Sequence, residues 1–140
     1  MLLSERRKDN RMKLNYDCIR DILIYLENAL RYNDMLEFPS VDLEELCAEY
    51  PNYSKQDICY SLQMMNEAGL IKAFSAASAS RIVNISCRSL TFEGHKYLEE
   101  VRNPRIWNSI KATFKNKALE LAMDAIPVVA KQLIISQLDS

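Results

Sequence analysis

Residues 54–87 read SKQDICYSLQMMNEAGLIKAFSAASASRIVNISC, and within them the apolar period changes from that of a helix to that of a strand. Ser54 stands as a cap, Asp57 follows three positions later, and Ile58, Leu62 and Met65 fall on one stripe, the spacing of a helix that buries one face. Gly69 is the residue type that closes a helix in the left-handed conformation, so the chain should leave the helix there and feed Leu70 to Phe74. LIKAF, SAASAS and RIVNISC then read as strand, small-residue tip and strand, with β-branched residues dense in the second strand. The tip holds no glycine, so a tight two-residue turn is disfavoured and a longer loop is expected.

Upstream, NYDCIRDILIYLENAL from Asn15 places Ile19, Ile22, Leu23, Leu26 and Leu30 at helical spacing. After a polar joint, VDLEELCAEY makes a shorter helix. Asp42 caps it, with Glu45 three positions on, Leu43, Leu46 and Cys47 form its apolar side, and Pro51 stops it. Downstream, Thr91 precedes a helix with Tyr97, Leu98 and Val101, and Pro104 opens another through Trp107, Ile110 and Phe114. Residues 117–137 read as a last helix that Pro127 should kink or split. Three helices, the third followed by a hairpin, is the order of a winged helix-turn-helix domain. The expected fold is mainly α with a small β-hairpin wing, an α+β class. Its divisions are a flexible basic tail at 1–13, a winged-helix-like domain at 14–103 and a C-terminal helical extension at 104–140.

The chain has 140 residues, and 18 Lys plus Arg oppose 19 Asp plus Glu for a net charge of -1. No global field draws nucleic acid or anionic lipid, so such a partner must be held by a local patch. The start lacks the apolar core of a signal peptide, and no segment approaches about 18 uncharged apolar residues, which points to the cytoplasm and away from membranes. Cys18, Cys47, Cys59 and Cys87 lie 29, 12 and 28 residues apart, without the close pair of a zinc or redox motif. They are expected to be reduced structural thiols, with no metal and no cofactor.

MKLNYDCIRDILIYLE from Met12, YSLQMMNEAGLI from Tyr60 and TFEGHKYLEEVRNPRIW from Thr91 together resemble a family of small phage and bacterial proteins catalogued as domain of unknown function 2513. The most specific part of the likeness is carried by Thr91, Gly94, His95, Tyr97, Leu98, Arg102 and Trp107. Many relatives carry histidine after the tyrosine of the third helix, where this chain has Ser61. The resemblance implies a winged-helix-like core and a phage or prophage setting. It brings no established activity, and so no mechanism.

A recognition helix needs donors on its exposed face and a basic surround that grips phosphate. Residues 54–67 offer Ser54, Lys55, Gln56, Ser61, Gln63 and Asn66, but their one lysine faces two acids, Asp57 and Glu67. Gln56, Gln63 and Asn66 can bond adenine bidentately. Phosphate contacts must then come from Arg81 and Arg88 of the wing, from the basic tail, or from the run between Lys96 and Lys117, of which Arg102, Arg105 and Lys111 are the candidates. The plainer reading of that run is a solvated face.

His95 is the only histidine. A metal site needs three or four ligands, and the acid pairs Glu44–Glu45 and Glu99–Glu100 are adjacent positions that point apart on a helix. With only Gly69 and Gly94 there is no glycine-rich phosphate loop. The pattern argues against an enzyme, and no catalytic residue is assigned. Gly94, His95, Tyr97 and Trp107 read instead as a structural joint. Gly94 permits close backbone approach, His95 satisfies a buried polar neighbour, and the two rings fill the seam with the C-terminal helices.

In the last helix, Leu119, Met123, Ile126, Ala130 and Leu133 form a stripe that Leu121, Ala125, Val128 and Val129 broaden beyond one face. The surplus suggests a homodimer held through those first five residues, and the mixed signs of Lys117, Glu120, Asp124 and Lys131 speak against a membrane surface. Two function classes follow. One is a DNA-binding regulator of phage or prophage type. The other is a protein-interaction module on the same scaffold, meeting a host or phage protein through the acidic Asp42 to Glu49 surface and the weakly charged third helix.

Overall fold

The computed structural model describes residues 12–138. Most of the basic tail expected at 1–13 therefore lies outside the described residues; Lys13, at its end, pairs with Glu120 at 3.0 Å. Helix α1 (Tyr16–Ala29) begins where the Asn15 side chain accepts the Cys18 N–H at 3.1 Å, and it turns Cys18, Ile19, Ile22, Leu23 and Leu26 inward. Strand β1 (Val41–Asp42) runs straight into α2 (Leu43–Glu49), whose cap is the Asp42 carboxylate accepting from the Glu45 N–H at 3.0 Å. Ser54 caps α3 (Lys55–Glu67) through the Asp57 N–H, and the stripe of Ile58, Leu62 and Met65 is buried. The chain continues as β2 (Ile71–Ser78), β3 (Arg81–Leu90), α4 (Phe92–Val101), α5 (Pro104–Asn116) and α6 (Ile126–Leu138). Among the described residues this is an α+β fold of six helices and one three-stranded antiparallel sheet.

The sheet order is β1-β3-β2, with Val41 opposite Cys87 and Asp42 opposite Ser86. Strand β1 is too short to display an alternation, which is why the sequence reads only a polar joint before α2. The hairpin departs from expectation at its tip. Ser78 pairs with Arg81, so Ala79 and Ser80 form a two-residue turn, and Ala79 takes the left-handed φ of 55° without being glycine. That conformation costs an alanine roughly 1–2 kcal/mol, and the long ladder on either side holds it in place. Two register shifts leave Val83 and Arg88 as extra residues of β3, bulges that bend the strand and add twist. From Ser75 to Arg81 every residue is exposed, so the hairpin runs out beyond the core.

The C-terminal region also differs from its sequence reading. The helix expected over 117–137 begins only at Ile126, with Pro127 in its first turn, where the missing N–H interrupts no bond within the helix. Helix α6 packs on α4 and α5 of its own chain. Ile126 and Ala130 are fully buried there, and Met123 and Leu133 pack against the same core. Fully buried residues have no surface left for a second subunit, so Ile126 and Ala130 are core residues and not interface residues. Leu119 alone of the expected interface set is strongly exposed. Ile106, Trp107, Ile110 and Phe114 of α5 join one buried cluster with α1, α3 and the sheet.

Candidate nucleic-acid interface

Helix α3 buries Ile58, Ser61, Leu62 and Met65 and leaves Lys55, Gln56, Gln63 and Asn66 exposed. The hairpin packs beside it. Between them Gln63, Asn66 and Glu67 from the helix and Ala73 and Ser75 from β2 line an open groove of about 280 Å³. Two of the expected base readers or contacts already hold structural bonds. Ser54 caps the helix, and the Asn66 side-chain oxygen accepts the Ala73 N–H at 3.0 Å, fastening the end of α3 to β2.

The expected phosphate contacts divide into two groups. Arg102 hydrogen-bonds Glu27 and pairs with Glu99 at 2.9 Å, so it ties α4 to α1. Lys111 bonds Asp17 at 3.0 Å and lies 5.7 Å from the centre of the Trp107 ring. Both are engaged with α1, because the run from Lys96 to Lys117 winds around two helices and its charges point to different faces. Arg105 is exposed. The hairpin carries the other group: Lys72, Arg81 and Arg88 are all exposed, and the Arg88 guanidinium sits 5.9 Å over the exposed Phe74 ring. Lys72 is not among the residues singled out from sequence, although its place between Ile71 and Ala73 on an alternating strand would expose it.

The opening of α4 is built as a joint. Thr91 accepts the Gly94 N–H on its hydroxyl at 3.0 Å, donates that hydroxyl to the Gly69 carbonyl, and donates its own N–H to the Leu70 carbonyl at 3.0 Å. A Cβ on Gly94 would lie 1.9 Å from the Leu70 oxygen, so only glycine lets the helix come this close. Tyr97 and Trp107 are buried, with the indole N–H donated to Asp17 at 2.7 Å and the Tyr97 hydroxyl enclosed without a partner among the described residues. His95 departs from its expected role. Its ring is 55% exposed and stands 3.8 Å from the Glu27 carboxylate, so it satisfies no buried group. Arg20 does the corresponding work from α1, donating to the Val101 carbonyl at 2.7 Å and to the Arg102 carbonyl at 2.5 Å. A contact across 81 residues leaves no local signal in the sequence.

These joint residues fall within residues 13–120, which match the model of a family described as "Hypothetical protein (DUF2513)". The chain belongs to this family. A protein of Haemophilus influenzae (strain Rd) described as "Uncharacterized protein" is 36% identical over 127 residues, 91% of this chain and 98% of its own length. No solved structure matches the chain. The DUF2513 match spans α1 to α5 with the hairpin and ends before α6.

In this DUF2513 chain all four cysteines are free, Cys18 and Cys87 buried, Cys47 and Cys59 partly so. Burial pushes the Cys18 thiol up to about 11 and the Cys87 thiol to about 12. Among the described residues no three His, Cys, Asp or Glu side chains are placed to hold a metal ion, and no helix is long and apolar enough to cross a membrane.

Proposed function

We propose that the chain is a winged helix-turn-helix protein that binds double-stranded DNA, with α3 in the major groove and the hairpin as the wing along the flanking backbone. The helix order, with β1 between α1 and α2 and the sheet order β1-β3-β2, supports the fold half of this reading. The observation that carries the binding half is the hairpin. Residues from Ser75 to Arg81 are all exposed, so they add no side chain to the core. The hairpin extends Lys72, Arg81 and Arg88, which no carboxylate among the described residues pairs with, beside the exposed amides of α3. A surface maintained at no gain to packing is where binding residues concentrate. A regulatory role in the cytoplasm, in the phage or prophage setting that the resemblance implies, belongs to the same reading.

Full-length protein titrated with a pool of random duplexes should be retained at about 50 mM salt, with the logarithm of affinity falling linearly in the logarithm of salt. No retention at that salt would defeat the proposal. The second reading, a non-enzymatic protein-interaction module, is favoured by charge. Glu44, Glu45 and Glu49 are exposed on α2, and α3 itself brings Asp57 and Glu67 against one lysine. A null result in the duplex titration would leave this reading standing.

A further inference from the structure

The loop between α1 and β1 is not the polar joint that its sequence position suggests. Tyr32, Met35, Leu36 and Phe38 are each between 61% and 80% exposed, four large apolar side chains within seven residues. The loop is nevertheless organised. Asn33 accepts the Leu36 N–H on its carbonyl at 3.0 Å and the Glu37 N–H on its side chain at 3.1 Å, and it donates its amide to the Glu37 carboxylate at 3.1 Å. The Tyr32 and Phe38 rings approach to 6.4 Å. An ordered turn that holds apolar side chains in water is the mark of a contact surface.

At a second place the chain has an apolar groove of its own. Thr113, Phe114, Lys117, Leu119, Val128 and Val129 line an apolar groove of about 280 Å³ between α5 and α6. An enclosed apolar space of about 150 Å³ takes a benzene ring, so this groove has room for the Phe38 ring with a neighbour. Lys117 is its only charged lining residue. The only charges between Tyr32 and Phe38 are Asp34 and Glu37, both acidic and both exposed. Insert and receptacle are therefore complementary in polarity and in sign.

We infer that the occupant of the groove is the 32–38 loop of a second copy of this chain. Every copy carries both parts, so a two-fold pair forms two loop-in-groove contacts at once and closes without leaving either part free. Leu119 belongs to this interface, whereas Ile126 and Ala130 lie beneath it in the core. The inference is independent of DNA binding.

Sedimentation of the full chain from about 1 to 100 µM, a range that brackets a micromolar dissociation constant, should show a mass that rises toward twice the 16.2 kDa of one chain. Phe38→Asp and Leu119→Asp should each give single chains with unchanged circular dichroism. An equimolar mixture of these two variants keeps one of the two contacts, an intact groove from one and an intact loop from the other, so it should associate more weakly than wild type but more than either variant alone. Lys117→Glu places like charge opposite Asp34 and Glu37 at both contacts and should loosen the dimer by about tenfold or more, and mixing it with Asp34→Lys should tighten it again. Wild type that remains a single chain throughout, a Leu119→Asp variant that stays dimeric, or a variant mixture that does not associate would each overturn the inference.

Discussion

Gly94 and the carbonyl oxygen of Leu70 meet in a contact with no room for a side chain, since a Cβ on Gly94 would stand 1.9 Å from that oxygen. The neighbour is backbone already bonded to the Thr91 N–H, so it has little freedom to yield. Gly94→Ala should therefore destabilise the fold by about 3 kcal/mol, at the upper end of overpacking. Gly69 provides the contrast: it takes φ +78° but has open space around its missing Cβ, so Gly69→Ala should cost roughly 1–2 kcal/mol. Denaturant unfolding of both variants measures the difference, and equal losses would refute the close-approach account.

Asp17 joins α1 to α5, accepting from the Trp107 indole at 2.7 Å and from Lys111 at 3.0 Å. Burial raises its pKa. The bonds from Trp107 and Lys111, with the charges of Lys111 and Arg20, outweigh that and hold the carboxyl below its usual range. A carboxylate held low in the folded state adds stability that is complete above its ordinary pKa of about 4 and disappears as the pH falls through the lower folded value. Asp17→Asn should lower stability at neutral pH, and its difference from wild type should shrink below about pH 4. A difference that stays constant with pH would assign the effect to shape and not to charge.

Much of this architecture is readable from local pattern. Asp42, Ser54 and Thr91 each announce a helix start, and each caps one through a backbone N–H three residues on. What local pattern does not carry is partnership over distance. The pairing of Val41 with Cys87, the Arg20 bonds to the end of α4, and the capture of Arg102 by Glu27 all join residues far apart in the chain. For the same reason Arg102 and Lys111 read as free cations although acids hold them. The tip of the hairpin fails differently, because Ala79 adopts a conformation that its residue type disfavours.

Burial divides the thiols into two classes. Cys47 and Cys59 are partly accessible, although burial raises the Cys59 thiol as well, whereas Cys18 and Cys87 are enclosed and are pushed up to about 11 and about 12. Only the thiolate reacts, so an aromatic disulfide reagent at neutral pH should label the first two under native conditions and all four in denaturant. Fast native labelling of Cys87 would contradict the sheet pairing that covers it.

The DNA proposal makes a sharper statement about which cations matter. Lys111 bonds Asp17 inside the α1–α5 seam, while Arg81 stands exposed at the end of the hairpin. If the wing follows the backbone, Arg81→Ala should weaken binding to all duplexes alike and lower the slope of log affinity against log salt by roughly one. Gln63→Ala should leave that slope unchanged and instead relax preference at one base pair by about 1–3 kcal/mol. Lys111→Ala should reduce folding stability with no change in slope, because a lysine held by a carboxylate releases no counterion from DNA. The sequence run that contains Lys111 suggests the opposite, so measuring Arg81→Ala and Lys111→Ala together separates the hairpin interface from a diffuse basic face. A larger slope change for Lys111→Ala than for Arg81→Ala would move the interface off the hairpin.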